Sequence, residues 1–143
     1  MARTDSLEVA TALHRAAIRL LRTARVADDE TGVSAPKLSA LSVLTFGGPK
    51  SLKSLAGAEQ VTPATMSKLV SDLEADGLVA KRADREDKRG LRIEVTAKGR
   101  ALMEEGRKRR LALLNKRIAK LTREERAQLA DASALMMRLA ADQ

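Results

Sequence analysis

The hydrophobic period of this chain drops from that of a helix to two at Gly77, and that change constrains the fold more than any other feature. Before it, Leu52, Leu55 and Ala56 recur at i, i+3 and i+4, and Met66, Leu69, Val70 and Leu73 repeat the spacing on a longer stretch. Both segments read as amphipathic helices. After it the period drops to two. Leu91, Ile93 and Val95 face one way and Arg92, Glu94 and Thr96 the other, the pattern of a half-buried strand. Leu78–Ala83 is its predicted partner, with Asp84–Gly90 as the exposed tip of a β-hairpin. The helix boundaries carry their own chemistry. Thr62 is a predicted N-cap, Pro63 occupies the first helical position where a missing N–H costs nothing, and Gly77 supplies a C′ residue free to adopt positive φ. Two helices joined by a short turn and followed by a basic hairpin predict a winged helix–turn–helix, a shape that most often meets DNA.

Charge on the second helix is polarised. No acidic residue lies between Gln60 and Ser71, whereas Asp72, Glu74 and Asp76 crowd the C-terminal end. Thr65, Ser67, Lys68 and Ser71 lie away from the Met66/Leu69/Leu73 stripe and can reach phosphates or base edges. An ordinary amphipathic helix with a solvated face would look the same, so the hairpin decides. Arg82, Arg85, Lys88 and Arg89 gather around its turn, and long cations on a thin projection suit a narrow minor groove. Ser51, Lys53 and Ser54, at the start of the first helix, are expected to touch the DNA backbone.

These residues resemble the MarR family of transcription regulators, over nearly the whole chain and most densely from Ser51 to Leu102. Asp87-Lys88-Arg89, followed by Val95-Thr96-Ala97-Lys98-Gly99, is similar to the D-x-R…L-T-x-x-G signature of that family. The resemblance implies that Arg89 enters the minor groove and that Asp87 holds it. It also implies that Thr62, Pro63, Ala64, Thr65, Ser67 and Lys68 meet the major groove. At one turn position the family usually has glycine and this chain has Gln60, preceded by Glu59, so a turn of altered shape is expected there.

The rest of the sequence bounds the alternatives. With 27 Lys+Arg against 19 Asp+Glu, the 143 residues carry a formal net charge of +8, for which a polyanionic partner is the economical explanation and an acidic membrane surface the second. The absence of cysteine excludes disulfides, thiolate metal sites and cysteine redox sensing. His14 is the single histidine, without an evident nucleophile or ligand partner, so neither an enzyme nor a zinc site is expected and no cofactor is implied. Gly48-Pro49-Lys50-Ser51 lacks the spacing of a phosphate loop and reads as a helix break. One Phe and no Trp or Tyr argue against base-stacking single-strand binders. Met1–Glu8 lacks the apolar core of a signal peptide and no run reaches the length of a membrane span. The expected protein is therefore soluble and cytoplasmic, with no membrane partner.

Long helices flank the winged unit. Asp5 and Glu8 form a capping-box-like start to a helix lined by Ala10, Leu13, Ala17, Leu20, Leu21 and Ala24. Asp28–Gly32 breaks it, and Ser34 and Pro36 open a helix carrying Leu38, Leu41, Val43 and Leu44, ended by Gly47-Gly48-Pro49. Beyond the wing, Thr96 caps a long helix bearing Leu102, Met103, Leu111, Leu114, Ile118 and Leu121. Thr122-Arg123-Glu124-Glu125 is a capping box for the last helix, with Leu129, Ala132, Met136 and Leu139. Arg107-Lys108-Arg109-Arg110, continued by Lys116, Arg117 and Lys120, is a basic helix face, either solvated or brushing DNA. The predicted organisation is mainly α with a small β wing. Residues 1–33 form an N-terminal dimerisation helix, 34–100 the winged helix–turn–helix, and 101–143 the C-terminal dimerisation helices.

A winged helix is too small to cover the apolar faces of those terminal helices, and Ala10, Ala17, Ala24, Ala132 and Ala140 permit close helix contacts. The resemblance implies an intertwined homodimer on a pseudo-palindromic duplex operator, acting as a repressor. It further implies a small-molecule effector, phenolic or an aromatic carboxylate, between the dimer helices and the winged helix. His14, Arg15 and Arg19 are the nearest candidates to face such an anion. The competing reading is a basic helical adaptor or architectural protein that binds acidic partners, or DNA without sequence preference.

Overall fold

The computed structural model describes residues 4–86 and 90–141. Helix α1 (Ser6–Asp28) begins at Asp5, whose carboxylate accepts the Leu7 N–H at 3.3 Å. A single 3-10 turn (Asp29–Thr31) and Gly32, at φ 69°, redirect the chain into α2 (Ala35–Gly47). Ser34 stands at the N-cap of α2, yet its hydroxyl makes no capping bond. Instead its carbonyl accepts from Leu38 N at 3.0 Å. Gly48, at φ 76°, ends α2 and turns the chain into β1 (Lys50–Ser51), then α3 (Leu52–Ala58) and α4 (Pro63–Ala75). Strands β2 (Val79–Ala83) and β3 (Leu91–Val95) form the wing, and α5 (Ala97–Ile118) and α6 (Arg123–Ala141) complete the chain.

The expected hairpin has the register Val79↔Val95 through Ala83↔Leu91. It is one half of a three-stranded antiparallel sheet ordered β1-β3-β2, because Lys50 and Ser51 pair with Ile93 and Arg92. That addition occupies the otherwise open edge of β3 and anchors the wing to the start of α3. The segment that might be mistaken for a phosphate loop is thus a helix stop and a sheet edge.

The core lies between residues 40 and 95. Ala40, Leu41 and Leu44 of α2, Leu55 and Ala56 of α3, and Met66, Val70 and Leu73 of α4 close over Leu78, Val79, Ile93 and Val95. Helix α4 is held at both ends as its sequence anticipates. The Thr62 hydroxyl accepts from Thr65 N at 3.2 Å, Pro63 fills the first helical position, and Gly77 takes φ 74°. The capping box of α6 is reciprocal: Glu125 accepts from Thr122 N at 2.8 Å, and Thr122 accepts from Glu125 N at 3.1 Å.

The α3–α4 turn keeps a left-handed residue without glycine, since Gln60 sits at φ 57°. A side chain in that region is strained by roughly 1–2 kcal/mol, while glycine there adds unfolded-state entropy. Gln60→Gly is therefore expected to raise the unfolding free energy by up to about 1 kcal/mol. A urea titration in which the variant has a lower midpoint would show that the side chain contributes more than its backbone costs.

The terminal helices are packed differently. Among the described residues, α1 and α6 contribute none to the buried set, and α5 only Gly99 and Gly106. Leu20, Leu21, Leu135, Met137 and Leu139 are all more than half exposed. This is the surplus of apolar surface that the spacing of the sequence predicts.

Candidate nucleic-acid interface

Helix α4 turns its Met66/Val70/Leu73 face into the core, which leaves Thr62, Pro63, Ala64, Thr65, Ser67, Lys68 and Ser71 exposed along one side. Thr62 donates its own hydroxyl proton to Thr65 Oγ1 at 2.9 Å, so the Thr65 hydroxyl keeps its proton available for an incoming acceptor. Two of the acidic residues at the far end are tied back. Glu74 lies 3.8 Å from Lys81 Nζ and Asp76 lies 3.7 Å from Lys37 Nζ. The positive, hydroxyl-rich half of α4 therefore points outward while much of its negative charge is compensated within the fold. Ser51, Lys53 and Ser54 are exposed next to it, and Ser51 Oγ accepts from Ser54 N at 3.1 Å as the cap of α3.

The wing is a charge ladder. Arg82 and Arg92 stand opposite each other in the register, a like-charge pair that would repel unaided. Arg82 Nε donates to Glu94 at 2.6 Å and Arg92 Nε to Asp84 at 3.1 Å, so each guanidinium leans on a carboxylate across the hairpin. Arg82, expected to serve DNA directly, is thus also a strut of the wing, and Arg92 joins it unanticipated. Arg85 is exposed at the tip. Asp87, Lys88 and Arg89 lie outside the described residues. Leu91 departs from its strand pattern. It shares a face with Ile93, but Ile93 is buried and Leu91 remains 57% exposed because β3 runs past the helices there.

The basic run that starts on α5 is in part the expected solvated face, with Arg107, Lys108, Lys116, Arg117 and Lys120 exposed, and in part structural. Arg107 and Lys108 pair within the helix with Glu104 and Glu105. Arg109 pairs with Glu30 at 3.4 Å, and Arg110 Nη1 donates to Asp28 at 2.5 Å in a part-buried site. The last two fasten α5 to the end of α1. Buried Gly106 leaves room for this: a Cβ there would approach Arg110 Nη1 to 3.2 Å. Beside the pair, a cleft of about 400 Å³ opens between α1, α2 and α5, lined by Leu21, Arg25, Leu38, Met103 and Arg110 among others. His14, Arg15 and Arg19 are exposed on α1 and do not line it. Arg25 and Arg110 are the cations that do, and only the folded contact between distant helices reveals them. Among the described residues no cluster of His, Asp and Glu could hold a metal, and no helix is long and apolar enough to cross a membrane.

Comparison with known proteins agrees with this geometry. The MarR family model matches residues 33–91. An HTH-type transcriptional regulator of Mycobacterium tuberculosis is 33% identical over 131 residues, which cover 92% of each chain. Among solved structures, a transcriptional regulator protein of Pseudomonas aeruginosa superposes with a TM-score of 0.82 at 28% identity, covering 98% of this chain and 99% of that one. MepR of S. aureus, solved bound to an oligodeoxyribonucleotide, shares the fold with a TM-score of 0.69 at 20% identity, over 94% of this chain and 98% of its own.

Proposed function

Since the chain belongs to the MarR family of DNA-binding transcription regulators, we propose that it works as a homodimeric repressor seated on a pseudo-palindromic operator. The observation that carries the reading is the exposed, acid-free half of α4 beside a cationic wing. In this reading α4 enters the major groove with Thr62, Pro63, Ala64, Thr65, Ser67, Lys68 and Ser71. Ser51, Lys53 and Ser54 touch phosphates, and the wing residues Arg82, Arg85, Lys88 and Arg89 follow the minor groove, with Asp87 holding Arg89. The apolar surface left on α1 and α6 supports dimerisation, which would bring two copies of α4 to half-sites about one helical turn, ~10 bp, apart. A repressor of this kind acts by occluding a promoter. The same protein takes a phenolic or aromatic-carboxylate effector. The cleft between α1, α2 and α5 supports this with aliphatic walls; Arg110 there is already held by Asp28, which leaves Arg25, beside His14, Arg15 and Arg19 elsewhere on α1, as the candidate partner of the carboxylate.

Selection of duplexes from a random pool, followed by titration at several salt concentrations, tests the DNA reading. One pseudo-palindromic sequence should emerge, and log affinity should fall with log salt by roughly 0.9 per phosphate contact. Alanine at Thr65, Ser67 or Lys68 should shift the preferred sequence, costing about 1–3 kcal/mol wherever a base contact is lost. Loss of Arg89 should weaken all duplexes with little change of sequence preference beyond groove width. Equal retention of unrelated duplexes would favour the architectural reading instead.

A further inference from the structure

We propose that the Arg110–Asp28 pair sets the angle at which each winged unit hangs from the proposed dimer, and thereby makes the protein specific for the length of the spacer between half-sites. The inference rests on the dimeric DNA reading above and adds positioning residues to it. Two helices lead from the winged unit towards the apolar ends of the chain. Helix α5 leaves it at buried Gly99, with Leu102 and Met103 packed half-buried on the core. Helix α1 joins it through the 3-10 turn, Gly32 and Val33, and Val33 also packs on the core. At the far ends, Leu7 of α1 and Ile118 of α5 are exposed, as are Leu135, Met137 and Leu139 of α6. That is the surface a second copy would cover.

A lobe hung from one helix swings with it, whereas two helices tied to each other form a bracket. Packing alone holds α1 weakly, since none of its residues is buried, so the polar tie carries a larger share. Arg110 Nη1 donates to Asp28 Oδ1 at 2.5 Å, with only 31% and 20% of the two side chains exposed. The neighbouring pair, Arg109 and Glu30, is 3.4 Å apart and its carboxylate is 72% exposed, a setting in which an ion pair contributes little. Arg110 lies about two turns beyond Met103, so the tie is ~10 Å along α5 from the core. Gly106 keeps the approach open, because a Cβ there would stand 3.2 Å from Arg110 Nη1 and 3.7 Å from Asp28 Oδ1. Asp28 is also bound to the corner below it. Its carbonyl accepts from Thr31 Oγ1 at 2.7 Å, and that hydroxyl accepts from Val33 N at 3.1 Å. One residue thus joins the shaft of α5, the end of α1 and the turn into the winged unit. Adding one base pair to a spacer moves a half-site by about 3.4 Å and rotates it by roughly 34°. A fixed bracket cannot follow that rotation, and a loosened one follows it in part.

The test uses the full-length protein and the duplex it selects from a random pool, with the spacer lengthened or shortened by one base pair. Preference for the selected spacer over its neighbours should fall roughly 10-fold in Asp28→Ala, about 1.4 kcal/mol. Arg110→Met, which keeps the length of the side chain without its charge, should lose as much, and the double variant no more. Preference among base sequences within a half-site should stay within about twofold of wild type, because α4 is untouched. Simple destabilisation would weaken every duplex alike and leave the spacer preference where it was. An unchanged spacer preference in either single variant overturns the inference, as does a double variant whose loss is the sum of the two, or a base preference that moves with the spacer preference. If one single variant folds poorly, the other carries the test. A wild type indifferent to spacer length overturns the inference alone. Failure to select any pseudo-palindromic duplex would instead overturn the dimeric DNA reading and this inference with it.

Discussion

Replacing Gly99 with alanine is expected to lower the unfolding free energy by about 3 kcal/mol, a larger loss than other single-methyl additions in this chain. A Cβ at that position would collide with the Leu78 carbonyl oxygen and come within 2.6 Å of Val95 Cγ2. Neither can retreat. The Leu78 carbonyl accepts from Thr96 N at 3.0 Å, and both Leu78 and Val95 are buried in the core. The same junction is laced by Thr96, whose hydroxyl donates to the Gly77 carbonyl at 2.6 Å and accepts from Gly99 N at 3.1 Å. Lys98 adds a bond from Nζ to the Asp76 carbonyl at 2.8 Å. This run, recognised in the sequence by its resemblance to a family signature, is the joint at which the end of α4, the root of the wing and the start of α5 meet. Urea denaturation of Gly99→Ala measures the loss, and a midpoint within a few tenths of a molar of wild type would refute this account. Operator affinity should fall with it, because the wing and α4 share the joint.

The second large effect concerns assembly. Wild-type protein at micromolar concentration should sediment at twice the 15.4 kDa chain mass. Leu139→Asp should shift it towards monomer, with the dimer dissociation constant rising 100-fold or more, about 3 kcal/mol. In the isolated chain Leu139 is 67% exposed, so the change costs a monomer little, and the loss would come from placing an unpaired carboxylate inside an interface. DNA affinity should drop with dimerisation, by roughly 10²–10⁴, because the second half-site then binds without the benefit of the first. A wild-type monomer that holds its operator tightly would refute the two-fold scheme.

Features fixed by local chemistry were legible in the sequence. Thr62, Pro63 and Gly77 bound α4 because capping and positive φ depend on residues a few positions apart, and the same holds for the Thr122/Glu125 box. The alternation of β3 set its register with β2. Other features depend on contacts that no local spacing carries. Two residues, Lys50 and Ser51, are too few to show a period, so β1 emerged only from its pairing with β3. Arg110 reads as one cation in a basic face because its acid, Asp28, is 82 residues away. The exposure of Leu91 follows from where the helices stop covering the sheet, which alternation along one strand does not report. The partners of Arg82 and Arg92 were within reach, because the correct register already puts the two arginines opposite each other and demands a neutralising carboxylate for each.

Among the described residues, the fully buried apolar side chains all lie between residues 40 and 95, with Val33, Leu102 and Met103 packed half-buried against them, so local stability is not uniform along the chain. The winged unit holds together on its own buried contacts, whereas the outer helices are tied to it and to each other mainly by half-buried packing and by the Arg109–Glu30 and Arg110–Asp28 pairs, and so should open more readily. Rigidity thus falls away from the middle of the sequence towards both ends. If the protein dimerises as proposed, the outer helices should become firmer as the concentration of chains rises, while the winged unit should not change.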